Sequence, residues 1–135
     1  MLCSFKDIQI KVDNLALQAG FPPKSISIYS APMDDGTPYV SFEGDRYNYV
    51  FSEKGYEFLR KITMSLDELL YWIFSDFVFK KAFEYELDNR LLGRDCRRIA
   101  FEKYVEYMGR ISPEWQMKSR CEVQQILAES PYDDK

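Results

Sequence analysis

The chain reads as an α+β protein: an N-terminal helix, an antiparallel meander of about four strands, then three C-terminal helices packed on one face of the sheet. Three observations carry that reading. Apolar residues recur at helical spacing from Phe5 to Ala19. Alternating segments broken by turn residues fill positions 25–62. Helix-start signals and helical spacing return after Ser65.

The first helix opens on Ser4, with Asp7 three residues later in a variant capping box. Phe5, Ile8, Val12, Leu15, Ala16 and Ala19 form its apolar stripe. Gly20 suits a helix C-terminus, and Phe21-Pro22-Pro23 cannot continue the helix. Ile26 and Ile28 then alternate with Ser25 and Ser27, the pattern of a half-buried first strand. Pro32 and the run Asp34-Asp35-Gly36-Thr37-Pro38 form a loop.

Tyr39 to Glu43 and Arg46 to Phe51 read as a hairpin around Gly44-Asp45. Glycine first in a two-residue loop fits a type II′ turn. That turn predicts a register: Glu43 opposite Arg46, Phe42 opposite Tyr47, Val40 opposite Tyr49, and Pro38 opposite Phe51. Val40, Phe42, Tyr47, Tyr49 and Phe51 then share one apolar face. Ser41, Glu43, Arg46 and Asn48 share the other, which an antiparallel sheet can leave partly exposed. Ser52-Glu53-Lys54-Gly55 turns the chain into a last strand, Tyr56 to Ile62.

The second helix starts at a capping box, Ser65-Leu66-Asp67-Glu68. Apolar residues nearly surround it, so it is expected to be central and buried on several sides, ending between Arg90 and Gly93. A third helix is expected from about Asp95 to Met108, with Gly109 at its end. Ser112-Pro113-Glu114 starts the last one, which stops before Pro131 and leaves a short acidic tail, Tyr132 to Lys135. No repeat, low-complexity tract or linker interrupts the chain, so 1–135 reads as one domain.

Composition narrows the function. The chain has 135 residues, a formal net charge of -4, and 16% aromatic residues. So many rings argue for a packed core and against disorder. Acidic charge does not attract phosphate backbones, so no nucleic-acid partner is expected. With no histidine, Ser-His-Asp and Cys-His nucleophile arrangements and His metal sites are excluded. Cys3, Cys96 and Cys121 are odd in number and far apart, which fits buried or half-buried free thiols rather than disulfides or a zinc site. The start of the chain lacks the basic and apolar regions of a signal peptide. The most apolar stretch, Leu66 to Phe79, is too short and too charged to span a bilayer. A cytoplasmic protein without cofactor, metal or catalytic set is the result.

Several residues nevertheless stand out. Glu84, Glu86 and Asp88 read as a solvated helix face rather than a converging carboxylate pair. Asp95, Arg97 and Arg98 follow one helix later, and an ion pair from Arg97 or Arg98 to Glu86 between neighbouring helices is expected. A structural pair and an anion- or partner-binding arginine are the two readings. Tyr29, Tyr39 and Trp115 are expected to be partly exposed, as interface aromatics often are. Asp34, Asp35, Glu43 and Asp45, with Tyr39 and Arg46, form a candidate partner interface whose acidic loops would steer a basic partner.

The order of segments adds a resemblance. Tyr47-Asn48-Tyr49-Val50-Phe51-Ser52-Glu53-Lys54-Gly55 is followed by Leu66-Asp67-Glu68-Leu69-Leu70-Tyr71-Trp72-Ile73-Phe74. Ala82-Phe83-Glu84-Tyr85-Glu86, Asp95-Cys96-Arg97-Arg98-Ile99-Ala100-Phe101 and Ile111-Ser112-Pro113-Glu114-Trp115 come next. This series resembles immunity protein family 63 of bacterial polymorphic-toxin systems, departing at Lys54, where arginine is expected. The resemblance implies a small cytoplasmic protein, not an enzyme, that binds and blocks the toxin domain of its own system. It also implies that Trp72, Glu86, Asp95, Arg97 and Arg98 are motif residues. A general intracellular adaptor is the alternative that the same aromatics and charges would serve.

Overall fold

The computed structural model describes residues 2–135, which group into two compact units, one ending at Trp72 and the other spanning Ile73–Lys135. The order of elements is α1 (Phe5–Gln18), β1 (Tyr39–Glu43), β2 (Arg46–Glu53), β3 (Tyr56–Thr63), α2 (Leu66–Asp88), α3 (Arg97–Ile111) and α4 (Pro113–Glu129). The class is α+β, with three strands rather than four.

In the first unit, the Ser4 hydroxyl caps α1 by accepting from the Asp7 N–H at 3.1 Å. The helix closes with a Schellman pair, Gly20 N–H to Leu17 O and Phe21 N–H to Ala16 O. Ile8, Val12 and Ala16 form its buried stripe.

The expected strand at Ile26 and Ile28 does not form, because a side chain takes the place of a strand partner. The Gln9 amide donates from Nε2 to Ile26 O at 2.9 Å and accepts at Oε1 from Ile28 N–H at 3.0 Å. One donor and one acceptor mimic the edge of a ladder and pin the segment to α1. Its one backbone bond to the sheet is Val40 N–H to Tyr29 O, at 2.8 Å.

The sheet is antiparallel, in the order β1-β2-β3. The register between β1 and β2 is the expected one: Glu43↔Arg46, Phe42↔Tyr47 and Val40↔Tyr49. The ladder ends at Tyr39↔Val50, short of the expected Pro38 pair, where proline has no N–H to give. Gly44 has φ +61 and Asp45 does not have a positive φ, as a type II′ turn requires. At the next turn both Lys54 (φ +50) and Gly55 (φ +78) are left-handed, the pattern of type I′.

β2 is buried on both faces. Tyr47 and Tyr49 are buried on one, and Asn48, Val50 and Ser52 on the other. The expected exposed polar face is therefore closed at its centre. Phe42, expected in the core, lies half out in solvent. A bulge between Phe51 and Ser52 shifts the pairing of β2 with β3, and Phe58 is the extra residue.

In the second unit the end of α2 carries a single buried stripe, Phe74, Val78, Ala82 and Glu86, at intervals of four. The start of the helix is buried nearly all round, at Leu69, Leu70, Tyr71, Ile73 and Phe74, as expected. It ends at Asp88, before the expected limit. α3 and α4 form a helical hairpin about Ser112, which closes α3 and caps α4 by accepting from the Trp115 N–H at 3.3 Å. Gly109 does not end α3. The helix continues to Ile111, and the Gln116 side chain of α4 lies where a Gly109 side chain would be. Trp115, expected to be partly exposed, is buried beside Phe74, with ring centroids 5.6 Å apart.

Tyr104 ties the three helices together. Its hydroxyl donates to Glu122 Oε2 on α4 at 3.0 Å, so the Ser75 hydroxyl on α2, 2.8 Å away, donates to it. Its ring meets Phe79 edge-on at 5.2 Å.

Two stability outcomes follow. Lys54→Asn should raise unfolding stability by a few tenths to about 1 kcal/mol, since asparagine tolerates a left-handed backbone better than lysine. Tyr104→Phe should lower it by about 1–2 kcal/mol, because buried polar groups lose their shared partner. Denaturant melts of both variants check these signs.

Candidate partner interface

The six residues expected at an interface do not form one patch. Asp34 and Asp35 lie beside the β2–β3 turn. Asp34 O accepts from Lys54 N–H at 3.3 Å, and its carboxylate accepts from Gly55 N–H at 3.2 Å. Asp35 Oδ1 accepts from Thr37 N–H at 3.0 Å, and that bond and the Thr37 side chain hold its carboxyl below the usual range. The Asp34 carboxylate ties its loop to the β2–β3 turn, and the Asp35 carboxylate serves its own loop. Glu43, Asp45 and Arg46 sit at the opposite end of β2, at the β1–β2 turn. The eight residues of β2 separate the two ends by about 24 Å at 3.4 Å per residue. Tyr39, half-buried, stands opposite Val50.

At the β1–β2 end the side chains are well exposed: 77% for Glu43, 81% for Asp45 and 61% for Arg46. Arg46 Nε lies 4.0 Å from Asp45, and Arg60 of β3 reaches to 3.9 Å from Glu43. Such exposed pairs add little stability, which leaves the charges available for steering.

A surface that sequence reasoning missed runs along β3. Tyr56, Phe58, Leu59, Ile62 and Met64 are 44–70% exposed. β3 pairs with β2 on one side, and among the described residues nothing pairs with its other side. The one signal in the sequence is the absence of strict alternation in Tyr56-Glu57-Phe58-Leu59-Arg60-Lys61-Ile62, where apolar side chains fall on both faces.

Trp72 belongs to the framework. Its half-buried ring stacks on Tyr49 at 6.4 Å and 24°, with Lys61 Nζ 5.5 Å from the ring centre. The expected pair between Glu86 and Arg97 or Arg98 is absent. Glu86, 1% exposed, instead takes a two-pronged bond from Arg90, two residues past the end of its own helix, at 3.0 and 2.8 Å. That guanidinium holds the Glu86 carboxyl below its usual range. Glu84 turns outward to Lys81 at 3.2 Å, so the carboxylates of α2 diverge.

Arg97 and Arg98 hold the segment after α4. Asp95 accepts from the Arg97 backbone N–H at 2.9 Å, from its guanidinium at 2.9 Å, and from Asp133 N–H at 2.9 Å. Arg97 passes on to Ser130 O and Pro131 O, each at 2.9 Å. Arg98 grips Asp134 at 2.8 Å and lies over the Tyr132 ring at 4.2 Å. Asp134 also accepts from Asp95 N–H at 2.7 Å. The Arg97 side chain, and after it the backbone N–H groups, drive the Asp95 carboxyl far below the usual range; Arg98 does the same, less strongly, for Asp134. The residues expected to be a structural pair thus bind residues 130–134, where sequence showed only an acidic tail.

Cys96 and Cys121 are exposed and Cys3 is intermediate, so two thiols expected to be at least half-buried are not. A groove of about 190 Å³ is lined by Tyr85, Asn89, Ile99, Glu102, Lys103 and Glu106; Lys103 Nζ lies 4.4 Å from the Tyr85 ring and 3.2 Å from Glu106. Among the described residues no helix is long and apolar enough to cross a membrane.

Against known proteins, the family model Immunity protein 63 matches residues 43–125, more than half of the chain. Curated proteins and solved structures give no match.

The depressed carboxyls make acid sensitivity testable. A carboxyl with a lowered folded-state pKa stabilises the fold above its unfolded value, about 4, and that contribution is lost as pH falls toward the folded value. Stability should therefore decline below about pH 4. Asp95→Asn should be less stable at pH 7 and should lose less on acidification. Denaturant melts at pH 7 and at about pH 3 compare the two slopes.

Proposed function

The chain belongs to the family Immunity protein 63, and on that premise we propose that it binds a cognate polymorphic-toxin domain and neutralises it by stoichiometric contact, without catalysis. The observation that carries this reading is the family match over residues 43–125. The geometry agrees with a binding role. Carboxylates that could have paired for acid-base work diverge on α2, and the conspicuous arginines are spent on residues 130–134. The protein acts in the cytoplasm as a single domain, where it meets the toxin before the toxin meets its target.

Glu43 and Asp45 serve as the steering charges. They are exposed, stand at one end of the sheet and belong to a chain of net charge -4. Long-range attraction of this kind speeds association more than it tightens the final complex.

The decisive experiment expresses the toxin domain encoded beside this gene, with and without this protein, and counts survivors. Rescue, with a co-purifying complex of 1:1 stoichiometry, is the expected result; no rescue and no complex would favour the adaptor reading. In the complex, Glu43→Lys with Asp45→Lys should slow association at low salt and leave dissociation nearly unchanged. An unchanged on-rate would reject steering by this turn.

A further inference from the structure

The open side of β3 is the anomaly of the first unit. A sheet edge offers unpaired N–H and C=O groups, and proteins usually blunt such edges with charge, bulges or cover. Here the bulge at Phe58 and the Glu57–Arg60 pair, at 2.7 Å, blunt it in part. Around them stand Tyr56 and Met64, largely in solvent, and Phe58, Leu59 and Ile62, each about half exposed. Five large apolar side chains within nine residues mark a surface made to be covered.

Charge selects what covers it. At the Met64 end the apolar surface is bordered by exposed carboxylates: Glu43 and Asp45 on the neighbouring turn, and Asp67 and Glu68 in the first turn of α2. The positive charges within the strip are already engaged. Arg60 is held by Glu57, and Lys61 lies over Trp72. Against these four carboxylates the exposed Arg46 of the same turn is one cation, so the rim stays net acidic and complements a basic partner. A second copy of this chain fits poorly. The register that pairs the regular stretch Leu59–Thr63 with itself is centred on Lys61 and places it opposite its own copy.

We propose that the free edge of β3, with Phe58, Leu59, Ile62 and Met64, is the docking surface for the toxin domain, which adds a strand to the sheet and sets basic residues against the Glu43, Asp45, Asp67 and Glu68 rim. The backbone bonds of the added strand supply affinity, and the side chains on either face supply selectivity. This assignment rests on the neutralisation reading above and goes beyond it by naming the surface and the sign of the partner's charge.

The test uses the full chain and the inactivated toxin domain encoded beside the gene. Ile62→Ser and Met64→Ser remove side chains about half or more in solvent and should melt close to the parent, whereas Phe58→Ser also loses a ring contact with Phe51 at 6.2 Å and should melt somewhat lower. Each should weaken the complex by about thirtyfold or more if it removes a hot-spot contact. Amide exchange of Leu59 to Thr63 should slow on binding. A charge-reversed variant, Asp67→Lys with Glu68→Lys, should weaken binding, with the loss shrinking as salt is raised.

The outcomes separate. A parent complex that forms but is indifferent to all three serine variants, without β3 protection, overturns the surface and leaves neutralisation standing. No complex with the parent removes both. A free chain that sedimented as a dimer, and became a monomer with Ile62→Ser, would assign the edge to self-association and overturn the toxin as its occupant.

Discussion

A sheet of three strands has a single interior strand, and much of the first unit follows from that constraint. β2 alone has ladder partners on both sides, and it is the strand buried on both faces. Its neighbours must then be edges. On the β1 side, the chain supplies partial cover through Tyr29 O and the segment held by Gln9. On the β3 side no equivalent exists among the described residues. One amide side chain, by occupying the backbone of Ile26 and Ile28, converts a four-stranded pattern into a three-stranded sheet. The price of a fully paired centre is two edges, and just one of them is partly served.

The second unit solves a different problem. Three helices with wide apolar surfaces need something directional to choose one packing among several, because burial alone is not directional. Tyr104 is that element. Its ring lies in the aromatic cluster with Phe79, and its hydroxyl connects Ser75 and Glu122, so a rotation of any of the three helices breaks a bond. The Ser112 joint sets the angle of the hairpin, and Gly109 lets the Gln116 side chain lie close against α3. Asp95 then fastens the residues after α4, combining a helix-start role with a direct bond from Asp133 N–H and a link through Arg97 to Ser130 and Pro131.

Local chemistry was legible in the sequence, and long-range pairing was not. The Ser4 and Ser112 caps, the Gly44 turn and the β1–β2 register each depend on residues a few positions apart, and each was read. The misplaced features have partners far away in the chain. Gln9 finds Ile26 and Ile28 across 17 and 19 positions, and Arg98 finds Asp134 across 36. Glu86 departs from expectation for another reason: a partner four residues on, Arg90 just past the end of α2, needs no second helix at all. Trp115 was misjudged because interface statistics were applied to a ring that sits beside Phe74. At the candidate interface, sequence marked charge at the turns. The exposure of β3 depended on strand count, which alternation alone cannot settle.

On the docking proposed above, stability and recognition fall to different parts of the sheet. Val40, Tyr47, Tyr49 and Val50 are buried, so they serve the fold whether or not a partner is bound. The exposed side chains of β3 are only partly buried in the free protein and therefore contribute less to its folding than the buried side chains of β2. Substitutions there can retune a partner surface by attraction or by clash at small cost to the core. If the edge docks a toxin domain as proposed, such a division suits it: the interior strand holds the backbone of the edge in place, and the edge presents the changeable chemistry. The same exposure would be a liability to aggregation in a chain that worked alone. On the docking proposed above, a partner that covers the edge removes that liability, which favours β3 over the loops as the docking surface.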